Sequence, residues 1–174
     1  MSGVDTPYSY PYVWYMRILL FLLRRKAGRL TDPVRLWGRV PLAFSGFLWT
    51  LGALERRGSP LEPKLRALLR TRVSQMDLCA FCIGLNGNKA LERGVPQEKL
   101  LALADFAISP LYDEAERAAL TFAEAITTTG HTVDAELMQR LKRHYSDDEI
   151  VELAALVAHQ NLSTRFNRAL GVKE

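Results

Sequence analysis

Residues 77–86 of the chain read DLCAFCIGLN, and this stretch contains both cysteines of the protein. Cys79 and Cys82 lie three residues apart, where an apolar helical pattern begins again after a short break. Such a helix places Cys79, Cys82 and Asn86 on one face, because residues three and four apart are neighbours on a helix. The unpaired N–H groups at a helix start stabilise a thiolate, so a C-x-x-C at this place is typical of redox chemistry.

Helical patterns continue on both sides of the cysteines. Upstream, one helical face carries Leu65, Leu68, Leu69, Val73 and Met76. Asp77 is suited to cap a helix over about residues 78–93, which Gly94 would end. Downstream, Ser146 and Glu149 form a capping-box pattern before a long final helix. No sustained two-residue alternation flanked by turns is present, so the sequence predicts an all-α helical bundle.

The length and composition indicate one globular domain. The chain has 174 residues, of which 48% are hydrophobic and 24% are charged. We expect residues 1–59 to form a helical extension that packs on a redox core at residues 60–174. No convincing targeting segment is present and the first apolar run is too short to span a bilayer, so we expect a cytoplasmic protein.

The N-terminal third is both basic and apolar. Residues 1–59 hold nine Lys/Arg and three Asp/Glu, a net charge of 9 − 3 = +6, whereas the remainder holds 14 − 16 = −2. One interpretation of residues 13–29 is an amphipathic segment on an anionic membrane surface. We favour a first helix that buries Trp14, Ile18, Leu19 and Leu22 against the body of the chain or a neighbouring subunit.

Three interpretations of the cysteine pair are open. A structural zinc site needs four nitrogen or sulfur ligands, and the chain offers only two cysteines and three histidines without finger-like spacing, so we expect no metal. The pair could also be two small buried apolar residues. In the redox interpretation, one thiol attacks an oxidised substrate and the other resolves the product as a disulfide. By position alone, Cys79 at the helix start should be the more acidic thiol.

Four segments around the cysteines carry a resemblance by their order and spacing. They are LRALLRTRVSQ at 65–75, CAFC at 79–82, ERAALTFAEA at 116–125 and SDDEIVEL at 146–153. Together with residues 161–172 they resemble the AhpD-like alkylhydroperoxidase and carboxymuconolactone decarboxylase family over about residues 60–172. The resemblance implies an all-helical subunit that forms trimers or hexamers and reduces peroxides or disulfides with electrons from a dithiol partner. It also implies that Cys82 attacks the peroxide and that Cys79 then forms the disulfide.

The chain departs from the family pattern at its proton relay. The family usually places a Glu twelve residues before the first cysteine and a His four residues after the second, where this chain has Ala67 and Asn86. General acid–base help contributes roughly a hundredfold or more in rate, so the resemblance supports the dithiol more strongly than the peroxidase activity. Asn86 can hydrogen-bond but cannot shuttle a proton.

Other side chains are candidates to support the cysteines. His159 on the final helix is the most plausible replacement base, although a satisfied histidine in a helix interface is the alternative. Arg70 or Arg72 is a candidate to stabilise a thiolate. Besides Cys79 and Cys82, the possible supporting residues are thus Asn86, His159 and Arg70.

The sequence therefore predicts a thiol-dependent oxidoreductase of the AhpD-like type that reduces alkyl hydroperoxides or disulfides through Cys79 and Cys82. It needs no cofactor beyond the cysteine pair. The alternative is a catalytically weakened member of the same fold that acts as an oligomeric redox sensor or binding scaffold. The apolar segment at residues 41–54 indicates a homo-oligomer, a dimer, trimer or hexamer. We expect a dithiol electron donor as partner, and neither nucleic acid nor a membrane.

Overall fold

The computed structural model describes residue 4 and residues 10–172, the side chains of residues 26 and 27 excepted. This part of the chain folds into nine α-helices and one 3₁₀ turn and contains no strand, which confirms the all-α prediction. The bounds are α1 Trp14–Ala27, α2 Asp32–Trp37, α3 Pro41–Leu54, α4 Pro63–Met76, α5 Ala80–Glu92, α6 Gln97–Leu101, the 3₁₀ turn Ala102–Asp105, α7 Glu114–Thr127, α8 Ala135–Lys142 and α9 Asp147–Ala169.

Helix α4 lies at the centre of the bundle and packs against α5, α7 and α9. Its predicted apolar face is buried at Leu65, Leu68, Leu69 and Val73, while Met76 is half-buried. Because helices surround α4, its polar side is buried too, and Arg66 and Arg70 are only 3% and 4% exposed. The packing of α4 thus places two arginines inside the protein.

Local capping signals set the start of the final helix. The Ser146 side chain accepts a hydrogen bond from the Glu149 N–H, and the Glu149 carboxylate accepts one from the Ser146 N–H, which confirms the predicted capping box. Helix α9 then runs for 23 residues along α3, α4 and α7. Its length lets one helix contribute side chains to both the main core and the N-terminal layer.

Helices α1 to α3 build a second, smaller core. Its buried members are Met16, Leu20, Trp37 and Phe44. The Trp37 ring stacks on Phe166 of α9, with ring centroids 3.9 Å apart. The N-terminal layer is therefore attached to the final helix. The division into residues 1–59 and 60–174 stays a prediction, and residues 1–3, 5–9, 173 and 174 lie outside the described part.

One face of α1 is left uncovered by the described residues. Trp14, Ile18 and Leu22 are 73%, 53% and 56% exposed, because Met16 and Leu20 occupy the inward face instead. Within the described residues, the expectation that Trp14, Ile18 and Leu22 are buried against the body of the chain is therefore wrong. Of the four predicted residues, only Leu19 is partly buried. Packing against a neighbouring subunit stays a prediction. Within the described residues, none of the helices has the length and apolar character needed to cross a bilayer.

Candidate functional site

The turn between α4 and α5 sets the position of the first cysteine. The Leu78 N–H donates to the Gln75 carbonyl and the Cys79 N–H donates to the Ser74 carbonyl, both across 3.1 Å. These two bonds form a Schellman motif, which needs a left-handed residue between them. Leu78 takes that conformation with φ 53°, in a motif position that glycine usually occupies. The chain therefore reverses sharply just before the C-x-x-C.

Cys79, and not Asp77, caps α5. The Cys79 Sγ accepts a hydrogen bond from the Cys82 N–H across 3.3 Å, so the helix begins at Ala80 rather than near residue 78. The Asp77 side chain is engaged elsewhere: its carboxylate accepts a hydrogen bond from the Thr164 hydroxyl of α9 and lies 3.6 Å from the Arg165 Nε. The predicted role of Asp77 as a cap is thus wrong, because α9 supplies a competing partner.

The two cysteines are joined in a disulfide, and both are only 3% exposed. Cys82 lines a cavity of about 730 Å³ that lies between the N-terminal helices, α5 and α9. Most of the wall is apolar. It contains the aromatic side chains Trp37, Phe44, Phe47 and Phe81 and aliphatic ones such as Leu48 and Leu51. A cavity of this size and character accommodates a small organic molecule next to Cys82.

Hydrogen bonds connect Cys82 and its neighbours to α9. The Asn167 Nδ2 donates to the Cys82 Sγ across 3.3 Å. The amide nitrogens of Asn86 and Gln160 both donate to the Ser74 hydroxyl oxygen, across 3.0 and 3.2 Å. Asn86 therefore holds α5 against α4 in the position where the family has its relay histidine.

His159 contributes an imidazole to the same cavity wall. Its ring stacks on Phe47 at a centroid distance of 4.3 Å, and its Nε2 lies 3.1 Å from the Phe47 carbonyl oxygen. A carbonyl only accepts, so Nε2 carries the hydrogen and Nδ1 is the free acceptor in the neutral ring. Burial lowers the pKa of His159, against the opposing effect of the Phe47 hydrogen bond, which favours that neutral ring. Nδ1 has no hydrogen-bond partner among the described residues.

Arg70 and Glu55 bring charge to one end of the cavity. The Arg70 Nε lies 3.1 Å from the Glu55 Oε1, and the Arg70 Nη1 donates to the Gln160 Oε1 across 3.0 Å. Burial raises the pKa of Glu55, but the hydrogen bond from Arg93 and the charges of Arg70 and Arg93 outweigh it, so this pKa is lowered. Arg72, the other candidate arginine, instead pairs with Glu124.

Comparison with known proteins places the chain in a family. The sequence model of the carboxymuconolactone decarboxylase family matches residues 40–125. Protein YnjA of Escherichia coli K12 is 43% identical over 157 residues, which cover 90% of this chain and 86% of YnjA. The chain belongs to the carboxymuconolactone decarboxylase family. As a member of this family it carries its C-x-x-C at the start of α5.

Solved structures share the fold over nearly the whole chain. The debrominase Bmp8 is 25% identical with a TM-score of 0.81, covering 97% of this chain and 90% of Bmp8. A cysteine-to-alanine variant of Bmp8 has been solved in complex with 2,3,4-tribromopyrrole. A peroxidase-related protein with an AhpD core from Ralstonia eutropha JMP134 is 20% identical with a TM-score of 0.84, covering 99% and 91% of the two chains, and shows the fold.

The structure groups most of the residues predicted from the sequence. Cys82, Asn86, His159 and Arg70 all line the cavity, and Cys79 is bonded to Cys82. Ala67, at the family's glutamate position, is 2% exposed and belongs to the main hydrophobic core. Among the described residues, no group of three or more His, Cys, Asp or Glu side chains is arranged to hold a metal ion.

Two residues of the site, Asn167 and Glu55, are not among those predicted from the sequence. Asn167 follows His159 and Ser163 at four-residue steps, a polar stripe on α9 that lines the cavity and could have been detected from its spacing. Glu55 is the only acidic residue between Asp32 and Glu62. A single acidic residue in a basic and apolar segment is a weak sign of a buried ion pair. Only the packing of α3 brings Glu55 to the cavity.

Proposed function

We propose that this protein is a dithiol oxidoreductase that reduces organic hydroperoxides in the cavity beside Cys82. The observation that carries this proposal is the position of Cys82, which lines an apolar cavity while its sulfur is bonded to Cys79. The pair is thus in the oxidised state that the reaction would leave behind. The apolar wall favours an organic substrate over hydrogen peroxide.

The proposed reaction balances with a dithiol as reductant. The Cys82 thiolate attacks one peroxide oxygen, the O–O bond breaks, and Cys82 becomes a sulfenic acid while the substrate leaves as an alkoxide. The Cys79 thiol then attacks the Cys82 sulfur, which releases water and forms the disulfide. An external dithiol reduces this disulfide by thiol–disulfide exchange and is itself oxidised. The net reaction converts one hydroperoxide and one dithiol into an alcohol, water and a disulfide.

His159 is the group we propose to handle the proton. Its free Nδ1 accepts the proton of the Cys82 thiol and then returns it to the alkoxide. The burial of the ring and the hydrogen bond from Nε2 to Phe47 keep Nδ1 available as an acceptor. This imidazole would thus do the work of the histidine that the family places at the position of Asn86.

Peroxide consumption with a supplied dithiol tests the proposal. We expect the reduced wild-type protein to turn over cumene hydroperoxide with dithiothreitol, and Cys82→Ser to lose this activity about a hundredfold or more. Cys79→Ser is the matched variant: it should accumulate a Cys82 sulfenic acid, which dimedone traps and mass spectrometry locates. Retention of both thiols in the wild type, under conditions that oxidise ordinary dithiols, would overturn the proposal.

Reductive debromination is a second candidate, supported by the likeness to Bmp8. Replacing a carbon–bromine bond by carbon–hydrogen needs two electrons, which is what oxidation of a dithiol to a disulfide supplies, with release of bromide. The aromatic walls formed by Trp37, Phe47 and Phe81 suit a flat ring. Bromide release from 2,3,4-tribromopyrrole, measured beside peroxide consumption under the same reductant, decides between the two substrates.

A redox sensor remains the alternative function. Here peroxide would oxidise Cys79 and Cys82 once and change the assembly state without sustained turnover.

We also propose that the protein is a homo-oligomer, because α1 and α3 expose the large apolar side chains Trp14, Phe21, Leu42 and Trp49. Light scattering of the oxidised and reduced forms tests both ideas, since a sensor changes mass with redox state and a monomer at micromolar concentration contradicts oligomerisation.

A further inference from the structure

A buried group of charges at one end of the cavity carries more positive than negative charge. The Glu55 carboxylate is paired with Arg93 and lies 3.1 Å from Arg70 and 4.0 Å from Arg66. Three guanidinium groups therefore share one carboxylate, for a net charge of 3 − 1 = +2. Arg29, Lys89 and Glu92 also line the cavity and add a net charge of 2 − 1 = +1.

Arg70 is the member of this group that lines the cavity and still has a hydrogen-bond donor without a partner. Its Nε faces Glu55 and its Nη1 donates to Gln160, but its Nη2 has no hydrogen-bond partner among the described residues. The side chain is almost fully buried. Arg66, one turn earlier on α4, is equally buried, but of these two arginines only Arg70 lines the cavity.

Arg70 keeps one guanidinium donor, Nη2, for a further partner although its Nε faces Glu55. Burial lowers the pKa of Arg70 to about 10, so the guanidinium stays protonated at neutral pH. A buried cation without a full set of partners is costly, whereas a carboxylate binds a guanidinium through short, charge-assisted hydrogen bonds. The remaining wall is mostly apolar and would accept a hydrocarbon body. The cavity thus matches a molecule with an apolar body and one anionic end.

We propose that Arg70 binds the carboxylate of an otherwise apolar substrate and so holds its reducible group at Cys82. The substrate class is hydrophobic carboxylic acids that carry a hydroperoxide. The reacting end of this substrate rests on the proposed thiol chemistry, whereas recognition of the carboxylate rests on Arg70 alone.

Equilibrium binding to the oxidised protein tests the carboxylate site without any turnover. Octanoate should bind about tenfold or more tightly than octanamide in isothermal titration calorimetry, because one charge-assisted hydrogen bond is lost in the amide. Arg70→Met should remove this preference. Arg66→Met is the matched control, since it removes an equally buried arginine of the same charge group and should keep the preference. Equal affinities for the two ligands in the wild type, or equal losses in both variants, would overturn the proposal.

A conservative variant guards against loss of the fold. Arg70→Lys keeps the charge and should retain a preference for octanoate, and circular dichroism reports whether each variant is folded. If Arg70→Met does not fold, the wild-type comparison and Arg70→Lys still decide the question. Loss of the preference in a folded Arg70→Lys protein would show that charge is not what the site recognises.

Turnover of a matched substrate pair separates this proposal from the proposed function. Linoleic acid hydroperoxide should have a KM about tenfold or more below that of its methyl ester, and Arg70→Met should abolish the difference. Equal kinetic constants for acid and ester would keep the thiol chemistry and overturn the carboxylate site. No turnover of either compound, with the octanoate preference intact, would overturn the thiol chemistry and keep the site.

Discussion

The side-chain amide of Asn167 donates a hydrogen bond to the Sγ of Cys82, across 3.3 Å and 85 residues of sequence. This contact joins the final helix to the sulfur that lines the cavity. In the reduced protein the same N–H would face a thiolate, and a hydrogen bond to a charged group contributes more than one between neutral groups. Asn167 is thus placed to stabilise the reactive form of Cys82.

Replacing Asn167 should make Cys82 less reactive. In Asn167→Leu we expect the alkylation of reduced Cys82 by iodoacetamide at pH 7 to slow about tenfold, because the thiolate loses a donor. Mass spectrometry identifies the modified cysteine. Asn161→Leu is the control, because Asn161 is a buried amide on the same helix that donates to Thr127 instead. Equal slowing in both variants would mean that general loss of packing causes the effect.

His159 should impose a pH dependence on the reaction of Cys82. The lowered pKa of His159 keeps Nδ1 unprotonated at neutral pH, so the rate with cumene hydroperoxide should fall only as the pH drops through that lowered value. His159→Gln should react about a hundredfold more slowly and lose this acid limb. Stopped-flow measurements between pH 5 and 8 check this prediction. The ordinary pKa of a histidine side chain, about 6.5, lies within this range.

The exposed His144 provides the matched control for His159. His144→Gln should keep both the rate and the acid limb of the wild type. An acid limb that survives in His159→Gln would assign the titration to another group and remove His159 from the mechanism.

Sequence could predict the parts of this protein that depend on local signals. The C-x-x-C, the Ser146 capping box and the apolar face of α4 are all readable from spacing, and each is where it was expected. Spacing could not show that α4 lies at the centre, so the burial of Arg66 and Arg70 was missed. Charged side chains usually lie on the solvent side of a helix, whereas the neighbouring helices enclose these two arginines.

The rest of the site depends on contacts between distant segments. From the sequence, the Asp77 carboxylate is a candidate to accept a hydrogen bond from the first N–H groups of α5. It instead accepts one from the hydroxyl of Thr164, 87 residues away. Glu55 reaches Arg70 only because α3 packs on α9 and its C-terminal end meets α4. No local pattern contains that information, since both contacts depend on how whole helices pack.

Glu55 should contribute to stability in a pH-dependent way. Its pKa is lowered in the folded protein by Arg93 and Arg70, although burial acts in the opposite direction. A lowered carboxyl pKa gives stability that is present above the unfolded value of about 4.3 and is lost as the pH falls through the folded value. Urea unfolding of the wild type should therefore show a loss of stability below about pH 4.5 that is smaller in Glu55→Gln.

At pH 7, Glu55→Gln should be less stable than the wild type by about 3–5 kcal/mol, because three buried or partly buried arginines lose their shared carboxylate. Glu136→Gln changes an exposed carboxylate and should leave the stability within about 0.5 kcal/mol. An unchanged unfolding free energy in Glu55→Gln would mean that solvent screens this charge group.

Leu78 should be replaceable by glycine with a gain in stability. It holds the left-handed position of the Schellman motif before Cys79, with φ 53°, and its side chain is 71% exposed, so little apolar burial is lost. The left-handed conformation costs about 1–2 kcal/mol for a residue with a Cβ, and the extra freedom of glycine in the unfolded chain offsets part of this. We expect Leu78→Gly to raise the unfolding free energy, measured by urea denaturation, by about 0.5–1 kcal/mol.

Gly94 occupies the same motif position after α5, with φ 81° and only ordinary contacts around an added Cβ. Gly94→Ala should therefore lower the unfolding free energy by about 1 kcal/mol. If both substitutions destabilised the protein, the Leu78 side chain would be stabilising the turn despite its backbone conformation.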